Sequence, residues 1–245
     1  MQLKYITCSD PRENVSYINL YFLSMLSPKV EFGIQAHPSA MAEGLPRNQW
    51  FNYILKRKND RFNLALHINY QWCDDICSGI IPPEILQWLN TYKLSNQGPM
   101  IKRIQLNIGD RTVKTLDVPK LAKVIQSFPD REFIFPYNVR TKDVIEKLNN
   151  TGVNFSLLYD NSYGCGICPN TWDTPMYNNH VQGYAGGLCG ENIKQNLKKI
   201  SEKLPENYET WIDAEGKLMA PGTRHMDFNR AKDYILGALE FENAR

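Results

Sequence analysis

No apolar run in the 245-residue sequence approaches the roughly 20 residues needed to cross a bilayer, and Met1 to Asp10 carries neither a basic leader nor a long apolar stretch. No membrane partner is expected, and the protein is expected to be cytoplasmic. Charge of one sign is missing too: 28 Lys and Arg stand against 26 Asp and Glu, leaving +2. Nucleic-acid binding rests on concentrated positive charge, so a small ligand is the better expectation. Low-complexity tracts and linkers are absent. The four histidines, His37, His67, His180 and His225, show no metal-ligand spacing, and His67, inside an apolar stretch, reads as a hydrogen-bonded core residue. With no leader, the six cysteines read as reduced thiols rather than a disulfide framework.

What is present suffices for a sizeable core: 42% of the residues are hydrophobic, with 10 Phe, 13 Tyr and 5 Trp. Apolar runs of strand length recur over 3–8, 30–35, 63–69, 101–107, 132–137, 154–160, 181–185 and 210–213. Segments of helical period follow them over 15–25, 50–55, 83–89, 118–128, 141–148, near Trp172, over 191–204 and over 228–241. Eight alternating strand–helix units predict an α/β fold of the (β/α)₈ barrel type, a single domain over 1–245. The strands are almost continuously apolar, as expected when both faces are covered. Pro46, Pro82, Pro83 and Pro119 stand at predicted helix starts, where a missing N–H costs least.

Each strand ends in polar or small residues: Cys8 with Ser9 and Asp10, then Gln35, Asn69, Asn107, Asn138, Asp160, Gly186 and Asp213. In a (β/α)₈ barrel these positions converge on the working rim. Asn and Asp also start turns and cap helices, which accounts for part of the set without any function. After the seventh strand, Gly183-Tyr184-Ala185-Gly186-Gly187-Leu188-Cys189-Gly190-Glu191-Asn192 opens a helix. Its glycines serve either a tight turn or backbone N–H groups that approach an anion at a helix N-terminus. The loops after strands seven and eight are the usual phosphate site of this architecture, which favours the second use.

In order and position these motifs resemble phosphoribosylanthranilate isomerase, the barrel enzyme of tryptophan synthesis that performs an Amadori rearrangement. Leu3-Lys4-Tyr5-Ile6-Thr7-Cys8 is similar to the family's opening strand, Pro46-Arg47 to a Pro-Arg that receives the substrate carboxylate, and Gln105-Leu106-Asn107-Ile108-Gly109 to its Gln-Leu-His-Gly. Leu157-Leu158-Tyr159-Asp160 is similar to its Leu-Leu-Asp, and Tyr163-Gly164-Cys165-Gly166 to its Gly-rich loop. Ala185-Gly186-Gly187-Leu188 with Glu191-Asn192 is similar to its phosphate turn. Trp211-Ile212-Asp213-Ala214-Glu215-Gly216, with Gly222 and Asp227, is similar to its C-terminal motif. Ser9, Asn107 and Glu215 stand where the family has Gly, His and Ser.

The resemblance implies a cofactor-free aldose–ketose isomerase of a small phosphorylated ligand, monomeric or homodimeric. Cys8 would be its general base and Asp160 its general acid, with Asp10 as reserve base. Arg47, Asn107, Gly186, Gly187, Glu191, Asn192, Asp213 and Gly216 would bind substrate. The chemistry asks for an acid that protonates the ribose ring oxygen and a base that removes the C2 proton, so Asp160 needs a raised pKa and Cys8 a lowered one. Two alternatives stay open. A binding barrel without this chemistry needs only the anion turn. A metal-binding barrel needs Cys73, Cys77, Cys165 and Cys168 to converge. All six cysteines are expected at strand ends or in the loops just after them.

Overall fold

The computed structural model describes residues 1–160 and 165–244. Eight parallel strands close into a barrel in chain order: β1 Gln2–Ser9, β2 Val30–Ala36, β3 Asn63–Ile68, β4 Ile101–Leu106, β5 Glu132–Tyr137, β6 Ser156–Tyr159, β7 Gln182–Ala185 and β8 Glu209–Ala214. Each lies within a few residues of its apolar run. The chain forms two compact units, Met1–Gly33 with Leu158–Arg245, and Ile34–Leu157. Among the described residues no helix is long and apolar enough to cross a membrane.

In the first unit, β1 is hydrogen-bonded on one side to β2 and on the other to β8, which also pairs with β7. The β1–β8 register shifts between Leu3 and Tyr5, so β1 carries one extra residue there. Beyond the shift, Thr7 stands level with Glu31 and Asp213, and Cys8 with Phe32 and Ala214. Trp211 marks one face of these strands: a Cβ at Gly183 would lie 2.1 Å from its ring, so the indole occupies the space that glycine vacates beside β7. Trp211, Asp213, Thr7 and Ser9 share that face by the two-residue period of a strand. The opposite face, with Ile6, Cys8 and Ile212, is covered by the helix Phe228–Asn243, whose first turn is capped by Asp227 accepting from Arg230 N–H at 3.0 Å.

No helix forms near Trp172, where helical period led to the expectation of one. Residues 165–181 are irregular. Pro169 and Pro175 bracket the segment, and the residue before a proline is pushed out of helical geometry. Trp172 nevertheless anchors it, buried against Tyr159 and Tyr184, with its Nε1 donating to Asn196 Oδ1 at 3.1 Å.

In the second unit, β3 pairs with β4 and β4 with β5. Cys73 and Cys77 were expected in a loop, but they lie one turn apart on the helix Tyr70–Cys77, whose buried residues also include Trp72 and Ile76. That spacing puts both thiols on an apolar face, and a hydrogen bond with Cys73 together with burial pushes the Cys77 thiol up.

His67 is the core residue its apolar surroundings suggested. It is buried in β3, and desolvation, reinforced by Arg103, lowers its pKa to about 3. The ring is therefore neutral in the folded protein, whereas the unfolded chain takes up a proton below about pH 6.5. Stability from this residue is complete above that pH and is lost as pH falls toward 3, at up to about 1.4 kcal/mol per pH unit. Urea unfolding at pH 7 and pH 5 should show a smaller loss in His67→Leu than in the unmutated protein. Equal losses would remove His67 from the account.

Candidate active site

Three carboxylates stand at the C-terminal ends of the first unit's strands. Asp10 follows β1 with φ of +59°, a conformation Asp tolerates better than most side chains. It is buried, its N–H donates to Gly33 O at 2.8 Å, and its carboxylate receives Arg12 Nε at 2.8 Å. Asp213, buried near the end of β8, accepts Ser9 Oγ–H at 2.5 Å, while Thr7 Oγ1 donates to the buried Glu31 at 2.8 Å. Asp160 directly follows β6 and is half-buried, its Oδ1 3.8 Å from the place a Cβ would take on Gly186. Ala185 pairs with Asp213, so Asp160 and Asp213 flank the end of β7.

Cys8 does not join them. Thr7 and Ser9 direct their hydroxyls to Glu31 and Asp213 on the inner face, and alternation along β1 sends Cys8 the other way. It is fully buried, and desolvation followed by the Asp213 charge pushes its thiol well up. A base requires the reverse, an accessible sulfur with a lowered pKa, so the expectation that Cys8 is the base is corrected: it behaves as a small packed hydrophobe. Beside it lies Tyr234 of the covering helix, whose hydroxyl is pushed up by burial and then by Cys8 and Asp213. Cys8→Ser should therefore cost about 1–2 kcal/mol of stability, because a hydroxyl enters an apolar face, while turnover stays within about threefold. A collapse of turnover without loss of stability would restore Cys8 as a reacting group.

The glycine turn is built by close approach. Gly186 and Gly187 hold φ of +126° and +61°. A Cβ on Gly187 would stand 2.5 Å from Cys168 N and 2.7 Å from Gly166 O, and one on Gly186 would stand 3.1 Å from Ile167 O. The 165–168 loop thus lies directly on the turn; Tyr163 and Gly164 of the Gly-rich motif are outside the described residues. Asn192 ties the turn together, its Oδ1 accepting from Cys189 N–H at 3.0 Å and its Nδ2 donating to Gly187 O at 2.9 Å. Among the described residues, the N–H groups of Gly187, Leu188 and Gly190 meet no protein acceptor.

Glu191 is exposed, and its carboxylate is held low by the Cys189 thiol, then by its own N–H, with Arg230 and Lys217 adding positive charge. One anion already finds this helix end favourable. Lys217 and Arg230 escaped the sequence reading; the available signal was two cations shortly after the last strand, where the phosphate loops lie. Gly216 is exposed with open space around its Cα, and Glu215 is exposed beside it.

In the second unit, Arg47 is buried at the second position of the helix Pro46–Lys56. Asn107 stands just beyond β4, donating to Asn69 Oδ1 at 2.9 Å and accepting from Gln105 Nε2 at 2.8 Å. Asn138 is a turn-former, its Oδ1 accepting from Arg140 N–H at 2.9 Å. All six cysteines are free thiols, and among the described residues no three or more His, Cys, Asp or Glu side chains are grouped to hold a metal ion.

No protein-family model and no curated protein matches the sequence. The structure is similar to the crystal structure of phosphoribosyl anthranilate isomerase from Thermotoga maritima, with a TM-score of 0.54 and 14% identity over 96% of this chain and 98% of that one. It is also similar to 3-hexulose-6-phosphate synthase from Salmonella typhimurium, with a TM-score of 0.48 and 9% identity over 98% of this chain and all of that one. The likeness is one of fold. The enzyme that the motifs resemble is thus also a structure with this barrel, and the site residues rest on their own geometry.

Proposed function

We propose that this barrel binds a small phosphorylated aldose derivative and converts it to the ketose, with Asp160 as general acid and Asp213 as general base. The observation that carries the reading is the pair of carboxylates flanking the end of β7, directly before a turn whose Gly187, Leu188 and Gly190 N–H groups meet no acceptor among the described residues. Buried N–H groups are rarely left unpaired, and Leu188 is fully buried. The helix Ile193–Ser201 that follows, with Lys217 and Arg230, makes the turn favourable to a phosphate.

The chemistry needs two proton transfers. Asp160 gives a proton to the ring oxygen as the sugar opens. Asp213, oriented by Ser9, takes the proton from C2 and returns it at C1, and the 2-hydroxyl gives up its proton to restore Asp160 as the C2 ketone forms, so the isomerisation ends with no net change in atoms or electrons. The burial of Cys8 favours a second reading, a barrel that binds the same ligand without turning it over, because it removes the base that the resemblance implied.

Titration with inorganic phosphate tests the anion site. Proton NMR in D₂O with phosphoribosylanthranilate and ribose 5-phosphate tests the chemistry. Exchange of the C2 proton is the expected result. Phosphate binding without exchange selects the binding reading, and no phosphate binding removes both.

A further inference from the structure

The loop over the glycine turn joins an exposed thiol to one that is tied to the turn. Cys73 and Cys77 are buried, whereas Cys165 is exposed and Cys168, three residues on, is half-buried. Gly166 between them holds φ of +65°. The Cys168 sulfur lies 3.3 Å from Asn196 Oδ1 and 3.7 Å from the carbonyl oxygen of Pro169. The sense of the Asn196 amide is set from both ends: its Nδ2 donates to the Asn192 carbonyl at 3.0 Å, and its Oδ1 accepts at 3.1 Å from Trp172 Nε1, an indole N–H that can only donate. Cys168 therefore faces two oxygens that only accept, and its sulfur must keep its proton. From Asn196 the tie continues into the turn, because the side chain of Asn192 holds both Cys189 N–H and Gly187 O. The Cys168 backbone also fits directly on that turn, its nitrogen 2.5 Å from the place a Cβ would take on Gly187.

A disulfide sulfur carries no proton, so Cys168 cannot serve Asn196 and a disulfide at once. Cys165 supplies the partner, at the Cys-x-x-Cys spacing that dithiol oxidoreductases use. We infer that Cys165 and Cys168 are a redox modification site: they form a reversible disulfide by exchange with a small-molecule disulfide, which loosens the glycine turn and weakens its hold on an anion. Exchange starts at the exposed sulfur. The Cys165 thiolate attacks the small disulfide RSSR, a bond forms between Cys165 and one half, and the other half leaves as RS⁻. The Cys168 thiol then gives its proton to solvent and attacks the Cys165 sulfur, the mixed S–S bond breaks, and the second RS⁻ leaves. Each RS⁻ takes up a proton, so two electrons and two protons have passed from the dithiol to RSSR, which becomes two RSH. The bond from Cys168 to Asn196 goes with the proton, and drawing Cys168 toward Cys165 shifts the backbone that fits on Gly187. Reduction by a thiol reverses both changes. The effect on affinity rests on the reading of the turn as an anion site, whereas the covalent step does not.

The test treats the protein with oxidised glutathione, maps disulfides by peptide mass spectrometry, and compares the reduced and oxidised forms in two ways. Calorimetry reads the affinity for inorganic phosphate, and hydrogen exchange reads the amides of residues 187–192. The expected result is a Cys165–Cys168 disulfide with phosphate binding about tenfold weaker and amide exchange about tenfold faster, all reversed by dithiothreitol and all absent in Cys165→Ser. Thermal unfolding checks that this variant is folded, and Cys165→Ala replaces it where it is not. No Cys165–Cys168 disulfide, or one that leaves phosphate affinity unchanged, overturns the inference, while phosphate binding to the reduced protein keeps the proposed function standing. Equal weakening in Cys165→Ser assigns the effect to another thiol, such as Cys189 in the turn, and also overturns it. A reduced protein that binds no phosphate removes the proposed function. Faster exchange on disulfide formation then still supports redox control of the turn, and unchanged exchange overturns it.

Discussion

Asp160→Asn and Asp213→Asn should each lower turnover of the phosphorylated aldose by about 10²–10⁴-fold, the usual loss when a general acid or base is removed. Both changes keep the side-chain shape and remove only the proton chemistry, so affinity for inorganic phosphate should stay within about threefold. The two variants differ in a second respect. Asp213 is buried and accepts the Ser9 hydroxyl at 2.5 Å, so its amide weakens a buried hydrogen bond, at a cost of about 1–2 kcal/mol. Asp160 is half-buried just beyond β6, and its amide should cost less stability than the one at the more deeply buried position 213. Steady-state kinetics with parallel urea unfolding separates these effects. Full turnover in Asp213→Asn would return the base to Asp10, the other buried carboxylate after β1.

The eight strands were legible because both faces of each are largely buried, which keeps apolar residues frequent in runs of strand length between breakers even where the inner face is polar. Orientation was not legible. β1 carries one more residue than β8 between Leu3 and Tyr5, and a slip of one residue turns every later side chain to the opposite face. A motif comparison aligns Cys8 with a cysteine that ends the first strand, yet nothing in the letters reveals which way it points once a bulge has intervened. The same limit hid the hydrogen bonds that join the side-chain amides of Gln35, Asn69, Asn107 and Gln105. They stand on or just beyond β2, β3 and β4, and Asn69 and Asn107 alone read as turn or cap residues; only the order of the strands makes the four neighbours. Trp172 shows a third kind of failure, where helical period was present but flanking prolines and a buried indole hydrogen bond decided the backbone.

Glycine was the residue type whose role depended most on structure. Four glycines, at 186, 187, 190 and 216, were candidates for one anion site, and their environments separate them. Gly190 packs on the covering helix, 2.9 Å from Asp233 Cβ once a Cβ is added, and Gly216 lies in open space. Gly187 alone combines a left-handed φ with backbone atoms of another loop inside 3 Å.

Gly187→Ala should therefore be the most damaging of the glycine substitutions. An L-residue at φ of +61° costs about 1–2 kcal/mol before any contact is counted. The added methyl would then stand 2.5 Å from Cys168 N and 2.7 Å from Gly166 O, which are backbone atoms and give way only if the whole 165–168 loop shifts. A total near 2–4 kcal/mol corresponds to a Tm lower by about 4–16 °C for a chain of this length. Binding should suffer independently, because the turn that carries the Gly187, Leu188 and Gly190 N–H groups moves with the loop, and phosphate affinity should fall by about tenfold or more. Gly216→Ala is the internal control: its Cβ meets nothing within 4 Å, so both Tm and affinity should change little. Calorimetric titration with inorganic phosphate, below the Tm of each variant, reads the binding arm directly. If Gly187→Ala unfolds earlier but binds phosphate as the unmutated protein does, the glycine pair exists only to admit the 165–168 loop, and the anion site must be sought elsewhere on the strand ends.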